Sequence, residues 1–148
     1  MAMVQATKRA SVRWDGTLAK GNGVITLQSG AASDMPVSWA SRTSDMSGKT
    51  SPEELLAAAH ASCFAMAFSG ALDRRGTPPQ WLAVSADCTF EQMDTGYKVS
   101  RMALSVEGQV AGATQEQFEE TAHAAAASCP ISNALRGNVD ITVTARLA

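Results

Sequence analysis

The chain has 148 residues, of which 45% are hydrophobic and 18% charged, and its formal net charge is −2 at pH 7. This composition excludes a disordered chain, and the small negative charge excludes the basic surface that binding to nucleic acid requires. A chain of this length predicts one domain, over residues 1–148, with its own hydrophobic core.

The first 16 residues hold a basic pair but no apolar run, so they lack the features of a secretory signal. We therefore expect a cytoplasmic protein. In that reducing compartment its three cysteines would stay thiols unless one of them is meant to cycle.

The N-terminal third is punctuated by glycine and reads as a meander of short strands. Alternating apolar residues predict strands at 11–14, 24–27 and 37–40. The polar segment RTSDMSGKT, residues 42–50, predicts a loop before the first helix.

A long helix is predicted from Ser51 to about Arg75. Ser51 and Glu54 form a capping-box pattern around Pro52, and Gly76 is a suitable stop. Residues 55–72 carry no formal charge and reach the length of a membrane span. We reject a span because the run is rich in alanine and has no aromatic belt, and we expect a core helix covered on most sides.

Two runs with a period of two follow, at 82–90 and 97–106, joined by the turn DTG at 94–96. A change of phase near Arg101 predicts a β-bulge. Cys88 falls on the apolar face of the first run and is interpreted as a buried, inert thiol.

The last third predicts two helices and a strand. Thr114 and Gln117 form a second capping-box pattern that opens a helix to about residue 128, and a short helix begins near Cys129 and ends at Gly137. Residues 141–147 alternate as a strand. Because strands and helices do not alternate as βαβ units, the predicted class is α+β with antiparallel sheets.

Two of the cysteines could carry chemistry. Cys63 lies in the apolar helix, where burial alone would raise its pKa, so it needs a positive neighbour. Cys129 stands at a helix start, where exposed N–H groups favour a thiolate. The two are 66 residues apart, so spacing alone does not pair them.

A zinc site is the competing arrangement. His60 lies three residues before Cys63, and His123 lies six before Cys129, so a His₂Cys₂ set is chemically conceivable. The second spacing matches no metal motif, and the prediction is therefore of no metal and no cofactor. His60 itself is interpreted as a satisfied core or interface histidine.

The segments SPEELLAAAHASCF and AAAASCPISNAL resemble the OsmC/Ohr family of thiol-dependent peroxidases, and WDG, SWASRTSD and RGNVDITV extend the similarity over most of residues 11–147. The resemblance implies an intertwined homodimer, with sheets around a long cysteine-bearing helix. The implied substrates are organic hydroperoxides and hydrogen peroxide, and the implied reductant is a dithiol, often on a lipoyl-bearing protein.

The resemblance also assigns the site. It makes Cys63 the peroxidatic cysteine, Cys129 the resolving one and Glu53 the active-site carboxylate. Trp14 stands where the Ohr branch has its arginine, so the match favours the OsmC branch and Arg42, with Arg13 as the fallback. The RGNVD ending is more similar to Ohr.

The spacing of Glu53 and Cys63 has a consequence for the dimer. Ten residues of straight helix separate them by about 15 Å along its axis, so one carboxylate cannot serve the cysteine of its own helix. Either the helix breaks, or Glu53 and Arg42 reach Cys63 from the partner subunit, which is our hypothesis. The rival function is a non-catalytic dimeric scaffold, binding a small molecule or zinc.

Overall fold

The computed structural model describes residues 1–44 and 48–148. Backbone contacts divide the chain into an N-terminal unit, residues 1–52, and a C-terminal unit, residues 53–148. The single domain over 1–148 stays a prediction, and the middle of the predicted 42–50 loop lies outside the described residues.

The N-terminal unit contains a three-stranded antiparallel sheet. Its strands β1 (Ala10–Asp15), β2 (Asn22–Leu27) and β3 (Met35–Val37) pair in the order β1-β2-β3. The predicted strands at 11–14 and 24–27 are thus confirmed. A close approach explains the glycine at 23, because a Cβ there would lie 2.7 Å from Val37 Cγ1.

The predicted strand at 37–40 is wrong over most of its length. Only Val37 belongs to β3, and the short helix α1 (Trp39–Thr43) follows. Ser38 and Ser41 cap that helix reciprocally, each side chain accepting from the other's backbone N–H. These hydrogen bonds satisfy N–H groups at the helix start, and they outweigh the strand-like alternation of the sequence.

The C-terminal unit begins with the long helix α2 (Pro52–Arg74), which matches the predicted helix closely. It ends where Gly76 adopts a left-handed φ of 81°. The N–H of Gly76 then bonds the carbonyl of Asp73 and the N–H of Thr77 that of Leu72, so the last turn is closed by backbone groups.

A second three-stranded sheet follows, made of β4 (Trp81–Met93), β5 (Gly96–Gln109) and β6 (Asp140–Leu147) in that order. The predicted hairpin and its bulge are confirmed. Thr89 pairs with Arg101 and Phe90 with Val99, which leaves Ser100 as the extra residue.

One pairing departs from the predicted antiparallel sheets, because β6 runs parallel to β5. Two helices lie between these strands, α3 (Gln115–Ser128) and α4 (Pro130–Leu135). They return the chain to the end from which β5 started, which is the long crossover that parallel strands need. The α+β class with two sheets and a long cysteine-bearing helix is confirmed.

The capping box that opens α3 is confirmed as well, since Thr114 accepts from the N–H of Gln117 and donates its own N–H to the Gln117 side chain. One hydrophobic core fills the unit. Its fully buried larger members come from α2, β5 and α3: Phe64, Phe68, Leu72, Leu104 and Phe118.

Helix α2 is long and apolar enough to span a membrane, yet one of its faces lies in this core and carries His60 and Phe64. Only 22% of its most apolar stretch is buried, and Met66 is 72% exposed. The described residues of one chain therefore cover one side of α2, and not most of it as predicted.

Candidate active site

Cys63 and Cys129 lie in contact, with their Sγ atoms 3.1 Å apart. Cys63 comes from the middle of α2 and is half-buried, whereas Cys129 is fully buried. Both are free thiols. A disulfide needs about 2.05 Å, so the pair could close with a movement of about 1 Å. The spacing of the two cysteines along the sequence did not predict this contact.

Cys129 occupies a junction between two helices. It is the C-cap of α3 and the N-cap of α4, with Pro130 at the first position of α4. Ser132 and Ile131, in the first turn of α4, favour the thiolate form of Cys129. The predicted helix-start environment is therefore present.

These donors change how readily each thiol ionises. Burial opposes ionisation of Cys129, but the hydrogen bonds from Ser132, Cys63 and Ile131 outweigh it and lower the Cys129 pKa. For Cys63, burial raises the pKa, the bond with Cys129 adds to this, and the N–H of Ile131 offsets only part. In the described residues, Cys129 is thus the more acidic thiol of the pair.

Glu53 lies in the first turn of α2 and is 6% exposed. Helix α2 is unbroken from Pro52 to Arg74, so about 15 Å of helix axis separates Glu53 from Cys63. The alternative of a broken helix is thereby excluded. Glu53 acts instead on Cys88: burial and, after it, this carboxylate raise the Cys88 pKa.

The two candidate arginines both belong to the N-terminal unit. Arg42 lies in the last turn of α1, with its guanidinium 5.9 Å from the centre of the Trp39 ring. Arg13 is highly exposed on β1 and pairs with Asp15 at 3.0 Å. Which of them serves a thiol stays a prediction.

The zinc alternative finds no support in the part of the chain that the structure describes. No group of three or more His, Cys, Asp and Glu side chains there could hold a metal ion. His123 is exposed on α3 and lines an open pocket with Arg136 and Asp140, whereas His60 is fully buried.

Ser132 is a site residue that the sequence analysis did not single out. It is fully buried, it helps to lower the pKa of Cys129, and its Oγ lies 2.7 Å from His60 Nε2. The sequence pattern that could have pointed to Ser132 is CPIS, which puts it in the first turn of a helix that begins at Cys129. His60 is a core histidine, as interpreted, but only one of its ring nitrogens has a partner among the described residues.

Known proteins are similar to this chain in sequence and in fold. The sequence model of the family described as "OsmC-like protein" matches residues 44–144. Peroxiredoxin OsmC of Escherichia coli is 32% identical over 134 residues, which cover 90% of this chain and 93% of that protein. Organic hydroperoxide resistance protein OhrA of Bacillus subtilis is 29% identical over 111 residues, covering 74% and 77%.

A solved structure gives the same fold. The crystal structure of an organic hydroperoxide resistance protein OsmC from Legionella pneumophila superposes with a TM-score of 0.71 at 24% identity, and the match covers 97% of this chain and 98% of that one. The OhrA match is shorter and less identical than the OsmC match, which places this sequence nearer the OsmC branch.

Proposed function

The chain belongs to the OsmC family of cysteine-based peroxidases, and we propose that it reduces organic hydroperoxides through a sulfenic acid on Cys63 that Cys129 resolves. The observation that carries this proposal is the 3.1 Å contact between the two thiols. The names of the relatives support the class of substrate, peroxiredoxin for one and organic hydroperoxide resistance for the other. Hydrogen peroxide is a second substrate of the same chemistry.

The first step is attack of the Cys63 thiolate on one oxygen of the peroxide. The O–O bond breaks, and Cys63 becomes a sulfenic acid. The other oxygen leaves as an alkoxide, which takes up a proton and becomes an alcohol. Cys129 then attacks that sulfur, so an S–S bond forms, the S–O bond breaks and water leaves. A dithiol, such as a lipoyl group on a protein, returns the disulfide to two thiols by exchange.

Cys63 needs a positive charge to enter this cycle, because burial and its neighbour Cys129 raise its pKa. Arg42 is the residue that we assign to this task, and its guanidinium would also stabilise charge on the departing oxygen. Glu53, a buried carboxylate, would hold the guanidinium in a bidentate geometry.

We propose that Arg42 and Glu53 reach Cys63 from a partner subunit. The unbroken α2 supports this, since it holds Glu53 and Cys63 of one chain far apart. The poorly covered side of α2, with Met66 72% exposed, supports a partner on the same helix. A homodimer would bury this apolar surface and complete two composite sites in the cytoplasm.

Peroxide consumption with a dithiol reductant tests the activity. Wild type is expected to consume cumene hydroperoxide in many turnovers, and Cys63→Ser to consume none. Cys88→Ser is the matched control, because it removes a thiol of the same unit that has no step in the cycle. Full activity in Cys63→Ser would end the proposal, since another group would then be the nucleophile.

Mixed dimers test the partner contribution. Cys63→Ser and Arg42→Ala subunits are each expected to be inactive, but together they form one intact site per mixed dimer if Arg42 acts across the interface. Co-refolding the two variants is therefore expected to restore about a quarter of the wild-type rate, from half of the sites in half of the dimers. No recovery, with mixed dimers demonstrated by mass spectrometry, would mean that the arginine serves its own subunit.

A further inference from the structure

A second contact between α2 and the start of α4 lies about one helical turn from the thiol pair. His60 Nε2 and Ser132 Oγ are 2.7 Å apart, a hydrogen bond between two fully buried side chains. On α2, His60 comes three residues before Cys63, and along the other segment Ser132 comes three residues after Cys129. The two contacts therefore join the same two segments at neighbouring points, and only one of them involves reacting atoms.

The position of the Cys129 sulfur depends on how α4 is held. Cys129 is the single residue between α3 and α4, and its φ of −61° and ψ of 125° are not helical. Its N–H donates to the carbonyl of Ala125 in α3, and its own carbonyl accepts from the N–H of Asn133 in α4. Helix α3 is fixed in the core through Phe118 and Ala122. A movement of α4 is therefore taken up by the backbone of Cys129 and displaces its sulfur.

Helix α4 has few apolar contacts that could hold it in place. Of its six residues, all of which the structure describes, Ser132 is the one that is buried. Ile131 and Leu135 are half-buried, and the other three residues are exposed. A helix of this length has little stability of its own, so its place on α2 depends on tertiary contacts such as the hydrogen bond to His60.

A hydrogen bond is not the simplest way to fill this part of the core. The other ring nitrogen of His60, Nδ1, is buried and has no hydrogen-bond partner among the residues that the structure describes. Apolar side chains at both positions would avoid this unsatisfied atom and would be about as stable. Apolar contacts have no preferred direction, however, whereas a hydrogen bond restricts both a distance and an angle. The polar pair therefore adds orientation where it adds little stability.

We propose that His60 is a positioning residue for Cys129: through Ser132 it holds the start of α4 on α2 and so keeps the Cys129 sulfur within reach of Cys63. The inference rests on the peroxidase cycle proposed above and concerns its second step. That step brings the two sulfur atoms from 3.1 Å to about 2.05 Å. His60 and Ser132 exchange no proton in this role, so their hydrogen bond is kept while the cysteines react.

A double variant separates positioning from stability. His60→Leu and Ser132→Ala each leave one buried polar group without its partner, and both are expected to destabilise the fold. His60→Leu/Ser132→Ala removes both polar groups together and is expected to unfold in urea close to the wild-type midpoint. His60→Gln is the conservative variant, because its side-chain amide can still bond Ser132 Oγ. His123→Leu is the matched control, since His123 is exposed.

Competition between disulfide formation and overoxidation measures the position of Cys129 during turnover. Each protein reacts once with cumene hydroperoxide over a range of concentrations, and mass spectrometry separates the disulfide, which has lost two hydrogens, from the sulfinic acid, which has gained two oxygens. The peroxide concentration that gives equal amounts of both is expected to fall about tenfold in the double variant, near the upper limit for one hydrogen bond. It is expected to stay close to the wild-type value in His60→Gln and in His123→Leu. An unchanged concentration in a folded double variant would overturn the proposal.

A redox equilibrium tests the positioning without any peroxide. In a Cys88→Ser background, each protein is equilibrated with mixtures of reduced and oxidised dithiothreitol, and the disulfide between Cys63 and Cys129 is quantified by mass. The effective concentration of one thiol at the other is expected to be about tenfold lower in the double variant than in wild type, and unchanged in His123→Leu. Equal effective concentrations in wild type and the double variant would overturn positioning by His60. If the tenfold difference is present but wild type consumes no peroxide, the proposed function is wrong and the positioning stands.

Discussion

Phe68 is the core residue whose replacement tests the packing around the candidate site most directly. It is fully buried on α2, one turn beyond Phe64 and five residues beyond Cys63. Its ring lies 5.6 Å from that of Phe64 and 4.9 Å from that of Phe118. Phe68→Ala therefore removes the ring that joins α2 to α3.

The expected loss follows from burial and from the aromatic contacts. Phenylalanine to alanine in a closed core costs about 3–5 kcal/mol, of which each aromatic pair accounts for about 0.5–1.5 kcal/mol. The total stability of such a domain is about 5–15 kcal/mol. The variant is thus expected to lose a large part of its stability and to melt roughly 6–20 °C lower.

Urea unfolding followed by circular dichroism measures this loss. Met93→Ala is the control, because Met93 is 48% exposed at the end of β4 and should change the free energy of unfolding by about 0.5 kcal/mol or less. A loss below about 1 kcal/mol in Phe68→Ala, with the control unchanged, would mean that this core is not packed as described.

Three further predictions concern the acid limb, a cap and the open side of α2. Burial lowers the pKa of His60, so the stability that its neutral ring contributes is complete above pH 6.5 and is lost as the pH falls through the folded-state pKa. The free energy of unfolding should fall by at most about 1.4 kcal/mol per pH unit for this reason. Between pH 6.5 and 5.5 the urea midpoint should therefore fall less in His60→Gln than in wild type, whereas His123→Gln should fall as much as wild type does. Thr114→Ala removes the cap of α3 and should cost about 1 kcal/mol in thermal unfolding, and a cost near zero would count against the capping box. Met66→Lys places a charge on the open side of α2 and should shift the proposed homodimer towards monomer in sedimentation, whereas an unchanged dimer would exclude that side from the interface.

Most elements of the C-terminal unit were predictable because local chemistry determines them. Pro52 and Gly76 lie at the ends of α2, Thr114 and Gln117 open α3, and an alternating pattern predicts each long strand. The direction of β6 was not predictable, since a period of two looks the same in parallel and antiparallel pairs.

The short helix α1 was missed because two signals conflict at residues 37–41. The alternation VSWAS is typical of a strand, while Ser38 and Ser41 favour a helix start. The capping hydrogen bonds decide the outcome, and they move Arg42 from a predicted loop onto a helix.

In the candidate site, too, local features were predictable from the sequence and long-range contacts were not. The environment of each cysteine could be inferred from its neighbours in the sequence. The contact between the two cysteines joins residues 66 apart, and only the resemblance to a family suggested it. The bond between His60 and Ser132 spans 72 residues and has no counterpart in local sequence. Long-range contacts of this kind depend on how α2 and α4 pack.

The most direct test of the account is the mass of the protein after one equivalent of cumene hydroperoxide. Wild type is expected to lose two hydrogens and two free thiols, Cys129→Ser to gain oxygen on Cys63, and Cys63→Ser to stay unchanged. Three intact thiols in the wild type would contradict the account, because the thiol pair would then be present in the fold without the peroxidase chemistry assigned to it.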